Sequence, residues 1–388
     1  MWYFVVPEVV FGEDALSRLA ELKGKSAFIV TDKNIVKLGL VDKVKGQLAL
    51  AGITATVFDE VEPDPSLETV QEGVDLMNRS MPDLVVAVGG GSVMDAAKAM
   101  RVQYERPDIK PDEINPFISD LGLGTKCKLV CVATTSGTGA EGTFMVVLTD
   151  TSEQRKLGLV NREIVPDIAI VDPEMARAMP PDLTANTGMD ALTHAVEGYT
   201  CTWKNDFTDG LCTKAIQLVF EYLPRAVKDG NDMEAREKMH NAACIAGIGC
   251  TNSMVALAHA FGHSLGAVFH TPHGRAVGLF LPYTIEFVGE AREALWAEIA
   301  YYLKLQVPKE KKAASVLAQA IRDLARNVKE PLSLRELGIQ SDELNSSTQK
   351  LIDNAVADGS LITSARIPDR KETEKLFRYA YEGKSIDF

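Results

Sequence analysis

The sequence predicts an α/β amino-terminal domain of Rossmann-like type, a parallel sheet with flanking helices, followed by an all-α carboxy-terminal domain. Two observations carry this. Up to Asp172, short continuous apolar runs alternate with helix-like segments, the pattern of a doubly wound sheet. Beyond Pro180-Pro181 the strand signal fades and apolar residues recur every three to four positions. The apolar runs at 27–31, Thr54–Phe58, 84–88, Lys128–Ala133 and Ile168–Val171 are bounded by Gly, Pro and Asp, as expected of strands buried on both faces. Amphipathic helices are expected over 208–228, 291–305, 312–328 and 372–381. The domains are therefore placed at 1–180 and 181–388, with no internal repeat or low-complexity linker between them.

A chain of 388 residues can bury two separate cores. Its 41 basic and 54 acidic residues give a net charge of −13 without any Lys/Arg cluster, which disfavours nucleic acid and anionic membranes as partners and leaves small molecules. The six cysteines form no C-x-x-C pair. The apolar start Trp2-Tyr3-Phe4-Val5-Val6 is short, lacks basic residues and stops at Pro7, and no run reaches transmembrane length. A cytoplasmic protein with free thiols is expected.

Of six histidines, four fall between His259 and His273. Asp190 and His194 are spaced i and i+4 on one helix face, and His259 and His263 repeat that spacing. In His270-Thr271-Pro272-His273-Gly274, Pro and Gly are read as ending the helix, so that His273 sits in a turn able to bring a ligand back over two helices. Imidazoles with one carboxylate suit a divalent metal such as iron or zinc. His240 and His270 are read as structural or surface residues.

The run Leu84 to Val88 enters Gly89-Gly90-Gly91-Ser92-Val93-Met94-Asp95, a strand, a glycine turn and a helix start. Glycines admit a pyrophosphate close to the backbone, and the N–H groups of a helix start favour its charge. Ser92 and Asp95 also have the spacing of a capping box. After the next strand comes Thr134-Thr135-Ser136-Gly137-Thr138-Gly139-Ala140-Glu141, dense in hydroxyls suited to phosphate or ribose oxygens. Asp32 follows the first apolar run, where an acid can bind a ribose hydroxyl and repel a 2′-phosphate, favouring NAD over NADP; it has equal standing as a cap for the helix that follows.

The strings Gly89-Gly90-Gly91-Ser92-x-x-Asp95, Thr134-Thr135-x-Gly137-Thr138, Gly188-Met189-Asp190-Ala191-Leu192-Thr193-His194-Ala195-x-Glu197 and His259-x-x-x-His263-x-Leu265-Gly266, with Thr271-Pro272-His273-Gly274 following, resemble the iron-containing (group III) alcohol dehydrogenases. The resemblance runs from Phe11-Gly12 to about Pro282. It implies Fe²⁺, with Zn²⁺ or another divalent metal as the substitute, held by Asp190, His194, His259 and His273. It places His263 beside the site near the nicotinamide, and the alcohol proton is expected to leave through His263 or the ribose hydroxyls of the cofactor. It assigns Gly90, Gly91, Ser92, Asp95, Thr134, Thr135, Thr138 and Lys156 to the dinucleotide, and it implies a cleft between the domains and a homodimer. Ala140, where relatives often have Ser, and Met145, at a position that is polar in some relatives, are departures; Met145 and Phe261 are candidates for an apolar pocket wall or for core packing.

The expected reaction is hydride transfer between a primary alcohol, activated by the metal as Lewis acid, and NAD. A dehydroquinate-synthase-like lyase is the alternative, but its polyanionic substrate demands cations, and Arg275 is the basic residue near the histidines. A glycerol-dehydrogenase-like polyol oxidoreductase typically uses three protein ligands to zinc, where four match here.

Overall fold

The computed structural model describes residues 3–114, 119–152 and 155–388. They form two compact units, Met1–Ala178 and Met179–Phe388.

In chain order the first unit contains β1 (Glu8–Phe11), β2 (Ser26–Val30), α1 (Lys33–Lys37), α2 (Leu40–Leu50), β3 (Thr54–Phe58), α3 (Leu67–Ser80), β4 (Leu84–Gly89), α4 (Gly91–Glu105), β5 (Lys128–Ala133), β6 (Met145–Asp150), β7 (Arg155–Val160), β8 (Ile168–Val171) and α5 (Pro173–Ala176). Six strands make one parallel sheet in the order β1-β8-β5-β4-β2-β3. The apolar runs are continuous because alternate residues enter two cores. Phe28, Val85, Ala87 and Cys131 pack on one face, and Ile29, Val86, Val88 and Val132 on the other.

The chain steps outward from β2 to β3, returns to β4 and then proceeds to β5 and β8. The direction of winding thus reverses between β2 and β4, and the carboxyl ends at such a reversal leave an open crevice for a ligand. Two features escape the sequence reading. The edge strand β1 is only four residues long and partly exposed, and its apolar run, Val9 to Phe11, is too short to mark it. The antiparallel pair β6–β7 forms outside the main sheet.

The second unit is helical: α6 (Pro181–Thr200), α7 (Asp206–Lys228), α8 (Met233–Thr251), α9 (Leu257–Phe269), α10 (His273–Val288), α11 (Glu293–Tyr302), α12 (Ala313–Asn327), α13 (Ser341–Ala357) and α14 (Arg370–Glu382). Helices α7, α11, α12 and α14 fall on the four expected segments. Helix α8 buries Ala, Gly and Cys nearly all round, and α13 opens on a polar run that leaves its apolar stripe to Leu344, Leu351, Ile352 and Ala355, so neither stands out in the sequence. Among the described residues no helix is long and apolar enough to cross a membrane.

Candidate metal centre

Helix α6 is buried along most of its length, which obliges its polar groups to find partners. Thr187, Thr193 and Thr200 donate their hydroxyls to carbonyls one turn back, at 2.8 Å each. Asp190, His194 and Glu197 share one face of the helix. Asp190 Oδ1, His194 Nδ1 and, from α9, His259 Nε2 are buried and make no hydrogen bond.

His273 completes the group. It is the first residue of α10, not part of a terminal turn, because the helix resumes at once after the Thr271-Pro272 link. Gly274 does not end a helix; it lies inside α10, where a Cβ would stand 2.3 Å from the carbonyl oxygen of Asn186 on α6. Ligand atoms of Asp190, His194, His259 and His273 all lie within 4.8 Å of one another. Ring centroids are 4.6 Å apart for His194 and His259 and 5.6 Å for His259 and His273. His273, with 44% of its side chain exposed, marks the open side of an otherwise buried cluster.

The protonation states suit ligation. Burial pushes the imidazoles of His194 and His259 below their ordinary range, so both are neutral at pH 7 with lone pairs to offer. Burial alone would raise Asp190, but the surrounding His194 and His273 hold it well below the usual carboxylate range.

Glu197 fixes His259. The cap residue of α9 is Ala256, which has no side-chain acceptor for the free N–H groups of a first turn. Glu197 supplies that acceptor from α6: Oε2 takes the Ala256 N–H at 2.8 Å and Oε1 takes the Ala258 N–H. Oε2 also lies 2.6 Å from His259 Nδ1, which commits that nitrogen and turns Nε2 toward the cluster. Burial raises the Glu197 carboxyl to about 7, against the pull of these N–H donors. In the sequence Glu197 is marked only as part of the Asp190 motif, with no sign that α9 begins against it.

His263 lies beside the group, its ring centroid 5.7 Å from His259 and 5.3 Å from His273. His240 and His270 fall outside it, the first buried in α8 and the second at the end of α9 with φ 53°. Phe261 is core, packed on Phe280 and Phe377 at 5.2 and 4.8 Å, not a pocket wall. Arg275 is committed to Glu330 at 2.8 Å and Asp182 at 2.6 Å, so it offers no free cation to a polyanion.

In the first unit the glycine turn follows β4 at the winding reversal, and the hydroxyl-rich turn follows β5 next to it. They touch: a Cβ on Gly90 would lie 3.1 Å from Thr135, and one on Gly91 3.0 Å from Thr138. Gly90, not Ser92, is the cap residue of α4, and no side chain caps that helix, so its first N–H groups remain for an anion. The expected Ser92–Asp95 capping box is therefore absent. Asp95 Oδ2 instead accepts the Val147 N–H at 3.0 Å, and Ser92 Oγ accepts that of Asp64 at 3.3 Å. Asp64 also pairs with Lys156 at 2.8 Å, which links two expected cofactor residues through one the sequence did not mark. Thr134 Oγ1 is buried without a partner. Asp32 caps α1, accepting N–H bonds from Asn34 at 2.7 Å and Ile35 at 3.1 Å.

Two family models cover these units. Residues 7–173 match the model described as iron-containing alcohol dehydrogenase, and 184–381 match the carboxy-terminal model of the Fe-containing alcohol dehydrogenase family. The chain is 39% identical to an NADPH-dependent butanol dehydrogenase of Clostridium saccharobutylicum over the full length of both. The chain belongs to the iron-containing alcohol dehydrogenase family. It is 36% identical to aldehyde-alcohol dehydrogenase 2 of Entamoeba histolytica over 98% of this chain but 46% of that protein. Among solved structures, a 1,3-propanediol oxidoreductase superposes with TM-score 0.91 at 33% identity, covering 98% of this chain and 100% of its own. An alcohol dehydrogenase from Oenococcus oeni gives 0.93 at 30%, with the same coverage.

An iron-containing alcohol dehydrogenase uses a metal and a nicotinamide cofactor, and both fit the residues present. Three buried, unpartnered ligand atoms are costly in a folded protein unless a cation pairs with them. One carboxylate and three imidazoles are a donor set for Fe²⁺ or Zn²⁺. The touching turns, the uncapped start of α4 and the unpartnered Thr134 hydroxyl suit a pyrophosphate.

Proposed function

We propose that this enzyme interconverts primary alcohols and aldehydes, with Asp190, His194, His259 and His273 holding Fe²⁺ and the turns after β4 and β5 holding NAD. The observation that carries the reading is the convergence of four ligand atoms within 4.8 Å, three of them buried and otherwise unpartnered. A divalent metal supplies Lewis acidity toward the alcohol or carbonyl oxygen, and the nicotinamide accepts or returns hydride. The protein's own part is to keep Asp190 ionised, to present His194 and His259 neutral and to orient His259 through Glu197. In the first unit, Gly90, Gly91, Ser92, Asp95, Thr134, Thr135, Thr138 and Lys156 line the dinucleotide. NAD is favoured because Asp32, Asp59 and Glu60 gather at the ends of β2 and β3, where a 2′-phosphate would be repelled. The butanol dehydrogenase named as NADPH-dependent keeps NADP as the second reading. We read the enzyme as a cytoplasmic homodimer, on the family resemblance and the acidic composition free of basic clusters.

The test is to strip the protein of metal, reload it anaerobically with Fe²⁺ or Zn²⁺, and follow nicotinamide absorbance over a panel of primary alcohols, diols and hydroxy acids. Activity is expected only after reloading, with primary alcohols preferred and kcat/KM higher for NAD⁺. Wild-type rates in the stripped protein sink the metal assignment, and a preference for NADP⁺ reverses the reading of Asp32.

His263 carries the alcohol proton in this scheme. His263→Ala is expected to lower kcat by about 10²-fold while metal content, measured by elemental analysis, stays at the wild-type level. Parallel loss of both would make His263 a ligand.

A further inference from the structure

His263, like His259, turns its Nδ1 to a carboxylate, but to one that lies outside α6. That atom lies 2.8 Å from Oδ2 of Asp358, at the end of α13. The carboxylate is mostly buried, and its other oxygen accepts the Ser360 N–H at 2.8 Å, which opens the short 3-10 turn Gly359–Thr363. Asp358 is held from both sides. The Thr202 N–H donates to Thr363 O at 2.8 Å, and the Thr363 hydroxyl donates to Val255 O beside the start of α9. Ser264, next to His263, donates its hydroxyl to Leu351 O of α13 at 2.7 Å. Burial would raise the Asp358 carboxyl, but the His263 and Ser360 hydrogen bonds bring it down to about 2, so it is an anion throughout the working range.

We propose that Asp358 is a positioning residue for proton transfer: it accepts the Nδ1–H of His263, fixes the tautomer and ring orientation, and leaves Nε2 as the atom that exchanges the proton. This rests on the reading of His263 as the proton carrier. In alcohol oxidation Nε2 would take the hydroxyl proton, a bound nicotinamide would supply the hydride acceptor, and the imidazolium would keep its Nδ1–H on Asp358 until Nε2 releases its proton to water. A neutral Asn at 358 removes the compensating charge and can donate its amide N–H to Nδ1, which places the ring proton on Nε2 and blocks that atom as a base.

The experiment is a double-mutant cycle on the metal-reloaded enzyme with Asp358→Asn, His263→Ala and the double variant. Asp358→Asn is expected to lower kcat by about 10- to 100-fold, with KM, metal content and melting temperature near wild type. Asp358→Glu should recover part of the loss, and in the His263→Ala background Asp358→Asn should have no further effect. If Asp358→Asn does not fold, Asp358→Ser runs the same cycle, since a serine still accepts the Ser360 N–H but releases His263. Wild-type kcat in Asp358→Asn, or the same fold loss with and without His263, overturns the proposal. Full turnover in His263→Ala overturns the proton-carrier reading itself, a distinct outcome from either.

Discussion

Gly274→Ala is expected to strip the enzyme of metal and, with it, of turnover. A Cβ at this position would stand 2.3 Å from the Asn186 carbonyl oxygen and 3.0 Å from Asp190 Cβ, both on α6. A backbone oxygen inside a buried helix cannot swing aside as a side chain does, so α10 must retreat. One turn further on, a Cβ at Gly278 would lie 2.8 Å from Met189 Cβ, so the close seam extends along the helix pair and the retreat cannot be local. His273 immediately precedes Gly274 and moves with it, while the new methyl presses on the residue that bears the Asp190 carboxylate. Overpacking of this kind costs about 1–3 kcal/mol of stability, and displacing two of four ligand atoms should reduce bound metal well below half. Elemental analysis and a thermal melt would show it. Gly46→Ala in α2, where nothing lies within 4 Å of the new Cβ, is the control, expected to be stabilising by roughly 0.5–1 kcal/mol. Stoichiometric metal and normal turnover in Gly274→Ala would refute the packing argument.

Glu197→Gln is the second large effect. Three N–H groups, from Ala256, Ala258 and the His259 ring, converge on its two oxygens, a demand that only an acceptor-only carboxylate meets. A Gln must turn its NH₂ toward one side. Facing Ala258, it sets donor against donor in a buried site; facing His259, it meets the Ala256 N–H that shares Oε2 and, by donating to Nδ1, also forces the ring proton onto Nε2, the atom directed into the cluster. Either choice costs about 1–3 kcal/mol of stability, and the second in addition weakens metal binding by roughly 10- to 100-fold. Titration of the stripped protein with Fe²⁺ or Zn²⁺, paired with its melting temperature, separates the two choices. Unchanged affinity together with an unchanged melt would show that Glu197 does not orient His259.

Much of the architecture can be read directly from residue order. Strands such as β4 and β5 are buried on both faces and so appear as unbroken apolar runs, and the i,i+4 pairs Asp190/His194 and His259/His263 appear because helical spacing is local. What escapes is what depends on a neighbour distant in sequence. Glu197 stands in the Asp190 motif, but its work depends on an uncapped α9 that folds against it. Asp358 is one acid among many until α13 brings it to His263. Pro272 and Gly274 have the usual character of helix breakers, whereas here Pro272 precedes a helix start and Gly274 serves a helix crossing. Asp32 had two readings from sequence, and the structure shows the cap directly while its bearing on the cofactor remains electrostatic.

The cluster draws on three helices, α6, α9 and α10, that a chain without metal has little reason to hold at this spacing, since it must bury unpartnered ligand atoms to do so. An ion that binds only the folded arrangement therefore acts as a cross-link, and its free-energy contribution grows with the logarithm of its free concentration, by about 1.4 kcal/mol per decade. Metal supply then governs how long each molecule survives as well as how fast it works: in a metal-starved cell, helix-opening fluctuations and proteolysis would thin the population of this enzyme.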